Sequence, residues 1–301
     1  MADRSSVDLS AFGVLRIRGS DAVRFLQGQL SNDLERLTAE GSLLAGYHNP
    51  QGRTIAILRL VQPAEGDILA LLPRELVSAV AARLTRYVLR ARVQLADDSA
   101  SWRVQGIVGS APDSPLGMKV SDTPERWISV THAGTVQATA RDVGQAQGEP
   151  LARVPEDWAR LDIAAGIPQV YAATSELFVA QMLNLDLLDG IAFSKGCYTG
   201  QEVIARAHYR GRVKRRMQRW RTLEPRGLAP GDAGQLEDGR AFRVVEAVRL
   251  PDGRTEFLAV AGLAAGTQRE EPDPAGPDGR PGSGHLELAA EPLPLPYALP
   301  S

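Results

Sequence analysis

Apolar and polar positions alternate loosely from Phe12 to Arg18, with Phe12, Val14 and Arg16 set against Gly13, Leu15 and Ile17. A period near two predicts a strand, and Gly19 ends it. Ser20 or Asp21 then stands where a helix cap belongs. The stripe that follows, Val23, Leu26, Leu30, Leu34 and Leu37 at spacings of three and four, predicts an amphipathic helix. Asn49-Pro50-Gln51-Gly52 signals a turn. Two mostly apolar runs, Thr54 to Val61 and Asp67 to Leu72, read as strands joined by Pro63-Ala64-Glu65-Gly66. Pro73 opens a second helix, with Leu76, Val77, Val80, Ala81, Leu84 and Val88 along one side, and Arg92 to Leu95 returns to strand. The order strand, helix, strand, strand, helix, strand belongs to a split α/β layer rather than a doubly wound sheet.

From Asp97 to Glu149 the periodicity weakens and Gly, Ser, Asp and Pro accumulate. The clearest strands there are Trp102 to Val108 and Trp127 to Thr131. Pro155 starts a third helix, Glu156 to Ala165, stopped by Gly166-Ile167-Pro168. After Gly211 the character changes: Val213 to Thr222, Phe242 to Val248 and Glu256 to Val260 predict strands between Pro/Gly/Asp turns, the pattern of a small all-β domain or barrel. The stretch 268–284 is rich in proline and glycine with no large apolar residue, and reads as a flexible loop. No internal repeat is evident.

Composition changes this picture little. With 44% hydrophobic and 23% charged residues and a net charge of −2, the 301-residue chain reads as an ordinary soluble protein, so any basic patch must be local. The N-terminus carries an early acid and no apolar run, which argues against a secretory signal. No stretch of about 18 uncharged apolar residues predicts a membrane span. One cysteine rules out an internal disulfide framework and suits the cytoplasm. It also leaves this chain unable to supply alone the thiolates of an iron–sulfur or cysteine-rich zinc site, and no metal site is expected.

That cysteine lies in Lys195-Gly196-Cys197-Tyr198-Thr199-Gly200-Gln201-Glu202. Thr199, three residues before Glu202 and an apolar Val203-Ile204, predicts a capping box on a helix from Gly200 to about Arg210, with Gly211 in the left-handed exit position. Cys197 then precedes a helix N-terminus. The dipole and unpaired amides there, with Lys195 nearby, favour a thiolate, and Gly196 and Gly200 leave the backbone around the sulfur uncrowded. The competing reading of a lone cysteine is a small buried hydrophobe. A thiol–imidazole pair with His208 is a poor fit, because the histidine is near the far end of the same helix, roughly 12 Å or more away.

This octapeptide resembles the signature of the YgfZ family, folate-binding relatives of the glycine-cleavage T-protein (GcvT). The similarity extends to Gly19-Ser20-Asp21, Phe25-Leu26-Gln27-Gly28-Gln29-Leu30 and Asn32-Asp33. It continues at Ala165-Gly166-Ile167-Pro168, Gln181-Met182-Leu183-Asn184-Leu185-Asp186, and the run from Arg206 to Arg215. It returns at the C-terminus in Glu291-Pro292-Leu293-Pro294 with Pro296-Tyr297. The resemblance implies an α+β fold: an intertwined, ferredoxin-like α/β body around a central folate site over residues 1–211, with an internal boundary near 97, then a C-terminal β-barrel over 212–301. It also implies tetrahydrofolate or a one-carbon derivative as ligand, and iron–sulfur enzymes, including those that thiomethylate tRNA, or cluster carriers as partners. Cys197 is then the principal functional residue, and Lys195 is placed with it at the catalytic position. Trp158, Phe12 and Arg206 fall where folate contacts are expected.

Two positions depart from T-protein. Its aspartate pair is replaced by Ala56 and Ile57, so aminomethyl transfer, the alternative enzymatic reading, lacks its carboxylate and conventional turnover is not the expectation. Many folate-binding relatives carry glutamate where this chain has Ala164. A further reading is a tRNA-binding accessory. Arg206, Arg210, Arg212, Lys214, Arg215, Arg216, Arg219 and Arg221, beside Tyr209 and Trp220, form a basic strip whose simpler explanation is a solvated strand face.

Overall fold

The computed structural model describes residues 4–134, 154–210, 213–263 and 286–300. In chain order these form β1 (Ser5–Asp8), β2 (Phe12–Arg18), α1 (Ala22–Gln27), β3 (Ser42–His48), β4 (Thr54–Ala64), β5 (Asp67–Pro73) and α2 (Arg74–Thr85). Then come β6 (Gln94–Asp97), β7 (Trp102–Val108), β8 (Gly117–Asp122), β9 (Glu125–His132), α3 (Glu156–Ala164) and α4 (Gln201–Tyr209). Last are β10 (Arg215–Thr222), β11 (Ala233–Leu236), β12 (Ala241–Arg249), β13 (Thr255–Gly262), β14 (Glu287–Leu288) and β15 (Ala290–Leu293).

The strands make three sheets, in the orders β3-β4-β5-β2-β6, β1-β7-β9-β8 and β14-β11-β12-β13-β10-β15. The first two pack through an apolar layer in which Phe12, Val14, Leu69 and Leu71 meet Trp102, Val104, Met118 and Ile128, with Trp158 of α3 between them. The third sheet is nearly closed: its two edge strands, β14 and β15, are separated by Ala289 alone. Every residue of β13 is buried because the strand has two apolar faces. Phe257, Ala259 and Ala261 fill the barrel interior, while Leu258 and Val260 join the core shared with the first sheet.

The α+β body followed by a barrel-like sheet agrees with the expectation from the sequence, but the first sheet holds one strand more than predicted. The helix expected through Leu37 stops at Gln27. Its apolar stripe is nonetheless buried, with Leu26, Leu30 and Leu34 fully inaccessible. Beyond Gly28 the chain turns, Leu30 bridges to Tyr47, and a 3-10 turn forms at Leu34–Arg36, capped by the Asp33 side chain accepting from the Glu35 amide. The stripe therefore reports burial rather than helix. The last strand of this layer lies at Gln94–Asp97 rather than Arg92–Leu95. The stretch 268–284 and the exit glycine Gly211 lie outside the described residues.

Candidate functional site

The signature segment crosses the mouth of the first sheet between the turn at residues 49–52 and the start of α4. Gly200 initiates that helix with φ +82°, and no side chain caps it. A Cβ at Gly200 would stand 2.5 Å from the Asn49 carbonyl oxygen. Left-handed backbone and close approach together leave room for glycine only. This contact displaces the helix start by one residue, so the predicted capping box between Thr199 and Glu202 does not form. Thr199 is half-buried and Glu202 exposed.

Lys195 is a structural clasp rather than a free charge beside the thiol, which corrects its placement as a catalytic group. Its ammonium donates to the carbonyls of Gln27, Leu30 and Asn32 at 2.8, 2.7 and 2.7 Å. The first of these carbonyls belongs to the last residue of α1, so the clasp sits over the end of that helix. Burial pulls the ammonium down to about 8, with Asp33 and Glu35 opposing. The cation stands 5.2 Å from the ring centre of Tyr198, which is itself buried. Around this clasp, the Ser31 hydroxyl donates to the Gly190 carbonyl and Asn32 to the carbonyls of Leu44 and Asp189, holding the approach to the motif against β3.

Cys197 is exposed and free, and a Cβ at Gly196 would meet nothing within 4 Å. Anchored residues on either side, Lys195 and Tyr198, thus present an uncrowded thiol to solvent. Gln201 is half-buried, while Arg206 faces outward from α4. His208 stacks on Phe193 at 3.8 Å and meets Tyr209 edge-on at 4.7 Å; Tyr209 is 67% exposed.

Trp158 and Phe12 do not approach this loop. Both lie inside the layer between the first two sheets, at 1% and 4% exposure. The Arg126 guanidinium covers the Trp158 ring at 4.8 Å, and the ring lies so close to Gly106 that a Cβ there would be 2.4 Å from it. Neither aromatic has a free face to stack a planar ligand, so both serve as core residues. Part of the basic strip is paired within the fold, and Arg212 lies outside the described residues. Arg216 pairs with Asp186 at 2.8 Å, Arg219 with Glu256 at 3.1 Å and Arg221 with Glu291 at 2.5 Å. These arginines sit on a central strand whose neighbours supply carboxylates, so their charge is spent internally. Arg216 also donates to the Gln181 carbonyl and to Asn184, whose amide reaches the Met217 carbonyl and the Tyr297 hydroxyl. The Gln181–Asp186 run is therefore the joint that fixes the barrel to the motif.

Two groups escaped the sequence reading. His48, at the end of β3, is 1% exposed, 6.4 Å from the Tyr198 ring, and both its nitrogens lack partners among the described residues. Burial holds it down to about 3. The second is a cavity of about 200 Å³ where the first two sheets meet the chain after α3, lined by Leu44, Arg59, Met118, Ile167 and Leu188 among others. Arg59 is the lone charged residue within the run Thr54 to Val61, and that isolation was its signal. A larger, more open depression of about 470 Å³ beside Pro63, Pro112 and Trp127 has Glu40 as its one ionisable residue.

Against known proteins, the chain is 31% identical to the tRNA-modifying protein YgfZ of Serratia proteamaculans, with 82% of this chain and 81% of that protein covered. It is 31% identical to the protein of the same description from Escherichia coli O45:K1, over 84% and 83%. The chain belongs to the YgfZ family. Its fold is that of the glycine cleavage aminomethyltransferase T of Bartonella henselae, with a TM-score of 0.61 and 13% identity over 87% of this chain and 79% of that one. No model of a protein family matches the chain. Among the described residues no helix is long and apolar enough to cross a membrane.

Proposed function

We propose that this chain is a cytoplasmic folate-binding protein that supports assembly or repair of iron–sulfur enzymes, including those that modify tRNA, with Cys197 as the acting thiol. The observation that carries the reading is the presentation of that thiol. It is exposed and uncrowded on a loop held at Lys195 by three carbonyls and at Tyr198 by burial. A cysteine that served only packing would be enclosed. For the folate, stacking on Trp158 or Phe12 is closed off. The space compatible with part of such a ligand is the cavity at Arg59, whose cation suits the ligand's carboxylate end. When bound, a folate would supply one-carbon chemistry; the chain's own residues would hold and orient it.

The test is Cys197→Ala in cells lacking the native copy. Iron–sulfur enzyme activities fall to the level of the deletion, while the purified variant keeps its circular dichroism and melting temperature. Full complementation would refute the thiol's role. Aminomethyl transfer is disfavoured because Ala56 and Ile57, where the carboxylates would stand, are buried apolar residues at 0% and 1% exposure. An RNA-contacting role retains one specific support, the exposed Tyr209 with stacked His208 and Phe193 beside the outward Arg206. Base stacking on such a platform is worth about 1–3 kcal/mol per base. Tyr209→Ala should then weaken tRNA binding in a salt-dependent titration, and unchanged binding would dismiss it.

A further inference from the structure

The cavity between the first two sheets holds a cation without a counterpart. Arg59 projects from β4, with Leu44 as its cross-strand neighbour on β3. The opposing wall is Met118, Lys119 and Val120 of β8, with Ile167, Leu188 and Asp189 beside it; Lys119 is paired with Asp122 at 2.5 Å and Asp189 with Arg36 at 3.0 Å. Its guanidinium makes no hydrogen bond or ion pair with any described residue. The acid whose charge acts on it, Asp162, is already bound by the fully buried Arg126 at 2.8 Å. Arg126 is satisfied three times over: it also donates to the Ser121 hydroxyl and the Leu161 carbonyl. The local balance is thus two guanidinium groups to one carboxylate, in surroundings where burial pulls Arg59 down and pushes Asp162 up. Arg59 is half-buried, and a cation drawn partly out of water without a partner is costly to hold. A fold that keeps one against a cavity of mixed polar and apolar lining is preorganised for an anion.

We infer that this cavity is a carboxylate subsite, in which Arg59 holds the acid group of a small ligand whose apolar or aromatic body lies along Leu44, Met118, Ile167 and Leu188. A planar fork of donors pairs with a carboxylate through two parallel hydrogen bonds, a geometry that also fixes the ligand's direction. At about 200 Å³ the space is smaller than the roughly 300–1,000 Å³ of pockets that enclose a whole drug-sized molecule, so it takes one end of the ligand. The inference deepens the folate reading, under which that end is the benzoyl-glutamate tail rather than the pterin.

Calorimetric titration of the full chain and its Arg59→Gln variant with three probes separates the two ideas: 4-aminobenzoyl-glutamate, 6-hydroxymethylpterin and 5-formyltetrahydrofolate. Arg59→Gln should weaken the two carboxylate ligands by roughly tenfold to a hundredfold and leave the pterin probe unchanged. Because the variant removes an unpaired cation, its melting temperature should not fall below that of the parent. Should it fail to fold, Arg59→Lys keeps the charge without the fork and should weaken the same two ligands more modestly. Carboxylate ligands bound equally by parent and variant would overturn the subsite, and so would a parent that ignores 4-aminobenzoyl-glutamate. Arg59-dependent binding of that probe with no binding of the folate would keep the subsite and refute the folate reading.

Discussion

Replacing Lys195 with methionine removes the clasp while preserving most of the side-chain volume. The three bonds it deletes run from one ammonium to the carbonyls of Gln27, Leu30 and Asn32. Hydrogen bonds to a charged donor contribute about 1.5–3 kcal/mol each, and a buried carbonyl left without a donor adds about 1–3 kcal/mol. Against this stands the cost of taking the ammonium out of water, several kcal/mol per ion, the same cost that draws its pKa down to about 8. The balance leaves a net destabilisation of roughly 2–4 kcal/mol. Urea unfolding followed by tryptophan fluorescence should show a lower midpoint with an unchanged slope. Hydrogen exchange should quicken most at residues 27–34 and 193–199. Lys195→Arg should recover part of the loss, since its planar fork cannot address three carbonyls arranged around a point charge. A Lys195→Met variant within 0.5 kcal/mol of the parent, with undisturbed exchange at residues 27–34, would refute the clasp and return Lys195 to the role of a free charge beside the thiol.

His48 is held near 3 by burial, below its ordinary 6.5, so the unfolded chain takes up a proton that the folded chain refuses. Its contribution to stability is intact above pH 6.5 and is lost progressively as pH falls toward about 3, amounting to roughly 4–5 kcal/mol at the lower end. In urea titrations at pH 7, 5 and 4, His48→Leu should flatten this slope, and parallel profiles would refute the assignment. Trp158→Ala should cost about 3–5 kcal/mol, the range for emptying a buried aromatic site, whatever ligand is present. A small loss of stability with a large loss of folate affinity would reinstate Trp158 as a ligand contact. Gly200→Ala should destabilise by about 1–3 kcal/mol through its left-handed backbone and its contact with Asn49, read from the thermal midpoint. An unchanged midpoint would show that the turn at 49–52 can yield.

The chain's periodicities are local properties, and those set by local physics were readable. The mostly apolar run Thr54 to Val61 and the 3.6-residue pattern in Arg74 to Thr85 located β4 and α2, because apolar side chains must be buried whatever they pack against. The Pro and Gly turns after Gly211 likewise announced a β-rich C-terminal part. The octapeptide around Cys197 identified the family and the exposed thiol at its centre. What required the third dimension was the fate of polar groups whose partners are remote in sequence. Lys195 reaches carbonyls more than 160 positions away, the first of them at the end of a helix that periodicity extended. Arg216, Arg219 and Arg221 of β10 met carboxylates from Asp186, Glu256 and Glu291, so part of the basic strip is paired within the fold. Phe12 and Trp158, more than a hundred positions apart, were both drawn into the core between the first two sheets. Local pattern determines which face of a segment is buried. Which charge is left over depends on the tertiary neighbours that neutralise all the others.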